Sequence, residues 1–176
     1  MTIPSDYTFK ICVFGDSGVG KTSLILRYLT DQFNKNIGKS MGVDIRVKKF
    51  EFNDDMITLQ IWDFVGEEKF RILFPTYARG SFGGIFMYDL SQRKSLNHIE
   101  EWINIFKKNN PQVPLLMVGG KLDLQEMRAV SVEEAISLSN SYELQEHIEC
   151  SSKTGENIEL IFNTIVHLIL QNIGSI

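Results

Sequence analysis

The stretch Gly15-Asp16-Ser17-Gly18-Val19-Gly20-Lys21-Thr22 decides the fold, because it matches the phosphate-binding pattern G-x-x-x-x-G-K-[ST]. It follows an apolar run at residues 9–14 that predicts a strand, and it opens a run at residues 21–30 that predicts a helix. Glycines allow such a loop to point its backbone N–H groups at phosphate oxygens. Lys21 supplies a positive charge for the outer phosphates, and the Thr22 hydroxyl is a hard oxygen ligand that suits Mg²⁺. The motif therefore predicts a site for a nucleoside triphosphate and leaves the base open.

Short apolar runs alternate with helical patterns along the rest of the chain. Strands are predicted at residues 9–14, 45–52, 57–62, 84–88, 115–118 and 147–150, with a hairpin turn at Asn53-Asp54-Asp55. Helices are predicted at residues 21–30, along the stripe Leu96, Ile99, Ile103 and Phe106, from the capping box at 131–134 to about residue 142, and from residue 157 onward. This alternation predicts an α/β fold with a six-stranded, mostly parallel sheet and helices on both faces, in a single domain over residues 1–176.

The composition excludes several classes of protein. The 176 residues are 43% hydrophobic and 23% charged with a net charge of -4, which excludes disorder and, without a Lys/Arg block, disfavours nucleic-acid binding. Two cysteines, Cys12 and Cys150, lie in apolar runs and are interpreted as buried residues in reducing surroundings. The N-terminus lacks a signal-peptide pattern. Residues 160–176 are too short and polar to span a bilayer, so they predict a helix packed on the sheet, with a helix lying on a membrane as the alternative.

The phosphate loop is followed by MGVDI at 41–45, WDFVGEE at 62–68, YARG at 77–80, GGKLD at 119–123 and ECSSK at 149–153. These five segments resemble those of Ras-superfamily small GTPases, most of all the Rab-like branch, and the likeness covers nearly the whole chain. WDFVGEE at 62–68 resembles the family's W-D-T-A-G-Q-E, GGKLD at 119–123 its guanine-reading N-K-x-D, and ECSSK at 149–153 its E-T-S-A-K. MGVDI at 41–45 and YARG at 77–80 resemble the Rab-like I-G-V-D-F and Y-Y-R-G. The resemblance implies the P-loop NTPase fold of small G proteins. It also implies a GTP/GDP molecular switch that binds guanine nucleotide with Mg²⁺ and hydrolyses GTP slowly to GDP and phosphate.

The resemblance assigns further residues to the phosphate side of the site. The carboxylate of Asp63, at a strand end, is expected to hold Mg²⁺ through water, and Ser40 falls where the family has a threonine that ligates Mg²⁺. Gly66 can bring its backbone N–H to a γ-phosphate, so that its release after hydrolysis frees residues 67–77. Phe33 falls where the family sets an aromatic ring against guanine, with apolar packing of a surface loop as the alternative.

The base is assigned to the later motifs. The carboxylate of Asp123 can accept two parallel hydrogen bonds from guanine, which adenine cannot donate. Lys121 is expected to lay its stem on the ring, Ser151 to brace the loop, and Ser152 and Lys153 to complete the pocket. The residues expected to bind nucleotide are Asp16, Ser17, Gly18, Val19, Gly20, Lys21, Thr22, Ser23, Phe33, Ser40, Gly66, Lys121, Asp123, Leu124, Ser151, Ser152 and Lys153. The expected metal ligands are Thr22, Ser40 and Asp63, and the expected catalytic residues are Glu67, Lys21 and Gly66.

The chain departs from the family pattern at several positions. Gly120 replaces an asparagine that ties the base loop to the phosphate loop, which is expected to loosen nucleotide binding without changing base choice. Glu67 replaces the glutamine that positions the attacking water. Phe64 and Val65 replace small residues and are expected to stiffen or reshape the second switch, and Ile37 replaces a tyrosine. A pseudo-GTPase that binds nucleotide with little turnover is therefore the main alternative. A P-loop kinase is a second one, although no cluster of arginines is present for a lid.

Expected partners follow from the same resemblance. Effector, exchange and activating proteins are expected on a face formed by the first switch with Ile45, Trp62 and Tyr77, where apolar side chains lie near mobile loops. No C-terminal cysteine is available for prenylation, and Thr2 excludes N-myristoylation, so peripheral membrane association is not supported. The sequence thus predicts a cytoplasmic monomer.

Overall fold

A six-stranded sheet with the strand order β2-β3-β1-β4-β5-β6 organises the computed structural model, which describes residues 6–34 and 42–175. The elements in chain order are β1 (Asp6–Phe14), α1 (Lys21–Thr30), β2 (Val43–Phe52), β3 (Asp55–Phe64), α2 (Phe74–Ala78), β4 (Gly83–Asp89), α3 (Ile99–Asn109), β5 (Leu115–Gly120), α4 (Val132–Ser141), β6 (Glu146–Glu149) and α5 (Ile158–Asn172). Three 3-10 segments lie at Glu68–Leu73, Arg93–Leu96 and Leu122–Met127. Among these strands, β2 and β3 pair antiparallel and the other neighbours pair parallel.

Two apolar layers hold the helices against the sheet, one on each face. One layer contains the buried side chains of α1 and α5, and the other contains those of α2, α3 and α4. The central strand β4 is buried at every position because helices cover it on both sides, which explains its unalternating apolar sequence. The predicted α/β architecture is therefore confirmed.

Local signals in the sequence account for several boundaries. Asn53 and Asp54 have φ values of 50° and 69°, as a two-residue hairpin turn between β2 and β3 requires. The Ser131 side chain accepts a hydrogen bond of 3.1 Å from the Glu134 backbone N–H, which caps α4 as predicted. Leu96 is buried with the predicted α3 stripe but lies in the preceding 3-10 segment, because α3 itself begins at Ile99.

The last helix packs on the sheet rather than lying apart from it. In α5 the apolar stripe is fully buried, and it consists of Ile161, Phe162, Ile165, Val166 and Ile169. This packing agrees with the predicted terminal helix that packs on the sheet. Cys12 and Cys150 are buried free thiols, as predicted. Over residues 6–34 and 42–175, no helix is both long and apolar enough to cross a membrane.

Candidate nucleotide and metal site

The phosphate loop, residues 15–20, connects β1 to α1 at the carboxyl ends of the parallel strands, where ligands of such sheets bind. Gly15, Gly18 and Gly20 have φ values of 139°, 79° and 109°, which L side chains rarely adopt. A Cβ at Gly15 would also overlap the carbonyl group of Met87 on β4. Glycine is thus required for the loop to lie against the sheet with the positive end of α1 behind it.

Lys21 lies inside this loop. Its ammonium donates hydrogen bonds to the carbonyl oxygens of Gly15, at 2.9 Å, and Asp16, at 2.7 Å, and its residue is only 6% exposed. Burial lowers the pKa of Lys21 to about 8, against the opposing effect of the carboxylates of Asp63 and Asp16. A phosphate group beside this ammonium would supply the negative charge that its surroundings lack.

Thr22 and Asp63 meet at the edge of the phosphate loop. The Thr22 hydroxyl donates a 2.5 Å hydrogen bond to the Asp63 carboxylate, which is almost fully buried at the end of β3. Burial raises the pKa of Asp63, although the Thr22 hydrogen bond and the Lys21 charge act in the opposite direction. A hydroxyl and a carboxylate oxygen are hard donors of the kind that Mg²⁺ prefers, so this pair fits that ion if phosphate oxygens and water complete its shell.

Gly66 lies directly against the phosphate loop. A Cβ at this position would fall 2.5 Å from the Ser17 backbone nitrogen and still nearer to the Gly15 carbonyl oxygen. The next residue, Glu67, is half-buried and forms an ion pair of 3.0 Å with Lys69. Of these two residues, Gly66 is the one whose contacts place it beside the loop that would hold the phosphates.

A cavity of about 200 Å³ lies between the phosphate loop and the carboxyl ends of β5 and β6. Phe33, which is 37% exposed, lies at the wall of this cavity. The lining residues are Val19, Gly20, Ser23, Phe33, Met87, Lys121, Asp123, Leu124, Ser152 and Lys153. With the exception of Met87, all of them are among the residues that the sequence predicted for nucleotide binding.

The acidic residue of this cavity is held from two sides. The Ser151 hydroxyl donates a 2.7 Å hydrogen bond to one Asp123 oxygen, and the Lys153 ammonium lies 3.7 Å from the other. Lys121 donates a 2.6 Å hydrogen bond to the buried carboxylate of Asp89 at the end of β4. Sequence reasoning missed Asp89, although its place directly after an apolar strand run was a usable signal.

The side chain of Asp16 forms its hydrogen bonds with residues outside the base cavity. One carboxylate oxygen accepts hydrogen bonds from Trp102 Nε1 at 2.9 Å and Arg71 Nη2 at 3.3 Å, and the other lies 2.7 Å from His98 Nδ1. Arg71 also donates to Glu101 at 2.6 Å. Asp16 was predicted to bind nucleotide, and these contacts leave only its backbone for that role. No signal in the sequence pointed to this cluster, which joins the phosphate loop to α3 and the segment Glu68–Leu73.

The departures at residues 64 and 65 have a packing explanation. The Phe64 ring lies with its centroid 4.9 Å from that of Phe74 and 5.9 Å from that of Trp102, so it fills the layer beneath α2 and α3. Val65 is buried as well. These side chains pack the start of the second switch against the core. Ser40, a predicted metal ligand, and Ile37, which departs from the family pattern, lie outside the described residues.

The parallel sheet, the glycine loop with its buried lysine, the hydroxyl–carboxylate pair and the adjoining base cavity define a P-loop nucleotide-binding protein. Comparison with known proteins narrows this class. The chain belongs to the Ras family, whose family model matches residues 10–171.

Curated relatives carry Rab names. The chain is 41% identical to the Ras-related protein Rab-1 of Theileria parva over 162 residues, which cover 91% of this chain and 73% of that protein. It is 36% identical to human Ras-related protein Rab-8B over 170 residues, 96% of this chain and 82% of that protein. It is 35% identical to dog Ras-related protein Rab-13 over 170 residues, which cover 96% of this chain and 83% of that protein. The chain is a Rab-like small GTPase, a GTP hydrolase that acts as a guanine-nucleotide switch, and these relatives do not favour the pseudo-GTPase or kinase alternatives.

Proposed function

We propose that residues 1–176 form a single G domain in which the predicted residues bind GTP or GDP with Mg²⁺ and hydrolyse GTP slowly. One observation carries the proposal: the Asp123 carboxylate, oriented by Ser151, shares a cavity with Val19 and Gly20 of the phosphate loop. A nucleotide whose base meets Asp123 can therefore extend its phosphates toward the loop that ends at Lys21.

Base selection follows from the chemistry of the carboxylate. Guanine offers N1–H and an exocyclic amine side by side, and the two oxygens of Asp123 can accept from both. Adenine offers no such pair of donors, so ATP would leave the base-facing acceptor positions of the carboxylate unmet in a partly enclosed cavity, at a cost of about 1–3 kcal/mol for each unmet hydrogen bond. The hydrogen bond from Ser151 keeps the carboxylate in the orientation that the base requires.

Thr22 and Asp63 are the described residues that would hold Mg²⁺. The ion, when bound, would neutralise charge on the outer phosphates. Thr22 can turn its hydroxyl from Asp63 to the metal, and the buried Asp63 carboxylate gains a positive neighbour that offsets its desolvation. Ser40 stays a predicted third ligand that would join in the triphosphate state only.

Hydrolysis depends on Lys21, Gly66 and Glu67. The Lys21 ammonium can neutralise charge on the transferring phosphoryl group, and the Gly66 N–H can donate to it. Glu67, when ionised, can accept from the attacking water but cannot donate, and it adds negative charge that Lys69 only partly offsets. We therefore expect slow intrinsic turnover, on or below the order of 10⁻³–10⁻⁴ s⁻¹ for unassisted small GTPases.

An exposed apolar strip supports the proposed partner face. Ile45 is 49% exposed and lies opposite Trp62 in the β2–β3 register, and the Trp62 and Tyr77 ring centroids are 6.0 Å apart. In the following 3-10 segment Ile72 is 81% exposed. Partly exposed apolar side chains of this kind suit effector, exchange and activating proteins that recognise the nucleotide state. We further propose that the protein acts as a cytoplasmic monomer.

The test begins with the nucleotide that the protein carries. Protein purified without added nucleotide is denatured, and the released small molecules are separated and identified by mass. The proposal expects GDP or GTP, with release accelerated by a chelator of divalent cations. Release of adenine nucleotide, or of none with no later uptake of GDP, would contradict it. Pull-down with protein loaded with a GTP analogue, compared with GDP, then tests the partner face, and equal capture by both forms would refute it.

A further inference from the structure

Met87 lies between the two loops that form the base cavity. It is a buried residue of the central strand β4, and its side chain is part of the cavity wall. Its terminal methyl, Cε, lies only 2.5 Å from where a Cβ of Gly120 would stand and 3.4 Å from where a Cβ of Gly20 would stand. The methyl therefore occupies a space that exists because residue 120 is a glycine, and it lies at ordinary contact distance from a Cβ at position 20.

These two glycines belong to different parts of the nucleotide site. Gly20 ends the phosphate loop, and Gly120 ends β5 directly before Lys121, Leu122 and Asp123. The Cβ of any residue at position 120 would also point at the phosphate loop, since it would lie 3.1 Å from the Val19 carbonyl oxygen. A side-chain amide at position 120 could thus donate to that oxygen and join the two loops through a hydrogen bond.

In this chain the junction is apolar. The Met87 methyl lies next to both glycines, and a flexible thioether fills an irregular gap well. Dispersion between close-packed atoms is non-directional but lost quickly when a gap opens, so the contact keeps the loops at one spacing. The spacing matters because the base and the phosphates of one nucleotide must reach both loops at once.

We propose that Met87 is a positioning residue that sets guanine-nucleotide affinity by holding the phosphate loop and the residues 121–123 together, in place of a hydrogen bond from position 120. The proposal rests on the proposed guanine-nucleotide site. According to this proposal, guanine-nucleotide affinity depends on positions 87 and 120 together, because the Met87 side chain and any side chain at position 120 would occupy the same space.

A double-mutant cycle tests this pairing. The full chain and the variants Met87→Val, Gly120→Asn and the double variant are loaded with fluorescent GDP, and the release rate is measured after chase with unlabelled GDP. Met87→Val should release GDP about tenfold faster, because the methyl contact is lost. Gly120→Asn should also release faster, because its amide competes with the methyl. The double variant should release more slowly than either single variant, because the amide then has room to reach Val19.

Two further variants separate positioning from stability. Met117→Val removes similar volume from a fully buried methionine of β5 in the opposite apolar layer, so it should lower the unfolding temperature without changing GDP release. Met87→Leu keeps most of the volume and should raise the release rate by only about threefold, which preserves the test if Met87→Val folds poorly.

Several results would overturn the proposal. The first is a double variant whose change in GDP release rate is the product of the changes in the two single variants. The second is slower GDP release by Gly120→Asn alone. The third is an equal release rate for wild type, Met87→Val and Met87→Leu. A wild-type protein that does not take up fluorescent GDP would refute the proposed guanine-nucleotide site itself, which distinguishes that failure from a failure of the Met87 role.

Discussion

Replacing Gly66 with alanine should uncouple GTP recognition from GDP recognition. The added Cβ would stand 2.5 Å from the Ser17 nitrogen, whereas ordinary contact begins at 3.4 Å. The backbone at residue 66 must therefore retreat from the phosphate loop by about 1 Å, because the opposing atoms are backbone and cannot turn aside. Such a shift would lengthen a hydrogen bond from the Gly66 N–H to a γ-phosphate beyond its useful range.

Gly66→Ala is expected to lower the affinity for GTP but not for GDP. A hydrogen bond to a charged group contributes about 1.5–3 kcal/mol, so GTP affinity should fall roughly 10–100-fold. GDP has no γ-phosphate and should bind with nearly unchanged affinity. Titration of fluorescent GTP analogue and GDP into nucleotide-free protein measures the ratio of the two affinities. Gly80→Ala controls for general backbone strain, because its φ of 73° disfavours alanine although a Cβ there meets nothing within 4 Å, and it should leave the ratio of the two affinities unchanged. An unchanged ratio in Gly66→Ala would refute the reasoning.

Three further predictions concern rate, pH and stability. Glu67→Gln should raise single-turnover GTP hydrolysis, since an amide can donate as well as accept; slower hydrolysis would instead make Glu67 the working catalytic group, and no change would put it outside the reacting centre. GDP affinity should fall as pH rises above about 8, by about fivefold between pH 8 and pH 9, because the Lys21 ammonium of the free protein has a pKa of about 8 and must regain its proton to bind phosphate. Lys21→Arg should show no such fall, since a guanidinium stays protonated over this range. Phe64→Ala should lower the free energy of unfolding, measured by calorimetry, by about 3–5 kcal/mol, because its ring is fully buried. Phe82→Ala should lower it much less, because Phe82 is 41% exposed, and equal losses for the two variants would contradict the packing explanation.

The sheet and its helices were predictable because their signals are local. The runs that became β4 and β5 are apolar without alternation, as strands covered on both faces must be. The start of α4 followed from Ser131 and its fixed spacing to Glu134. The phosphate loop was predictable for the same reason, since backbone conformation, charge and metal donor are encoded within residues 15–22.

The remaining parts of the site depend on packing between distant segments. Asp16 contacts Arg71 and Trp102, which are 55 and 86 positions away, and nothing near Asp16 in the sequence indicates that the segment Glu68–Leu73 and α3 supply these donors. The role of Met87 is likewise invisible in an apolar strand, because it arises from the absence of a side chain at Gly120 on the neighbouring strand. Sequence patterns thus identify groups that act through their own chemistry better than groups that act by filling space.

Base choice at Asp123 tests the central claim most directly. Unlabelled GTP, ATP and XTP compete with fluorescent GDP for the wild-type protein and for Asp123→Asn, at fixed Mg²⁺. The account predicts that only GTP competes well for the wild type. It also predicts that Asp123→Asn prefers XTP, because xanthine carries a carbonyl where guanine has its amine and can accept from the new amide. Equal competition by ATP and GTP for the wild type, or unchanged GTP preference in Asp123→Asn, would contradict the account.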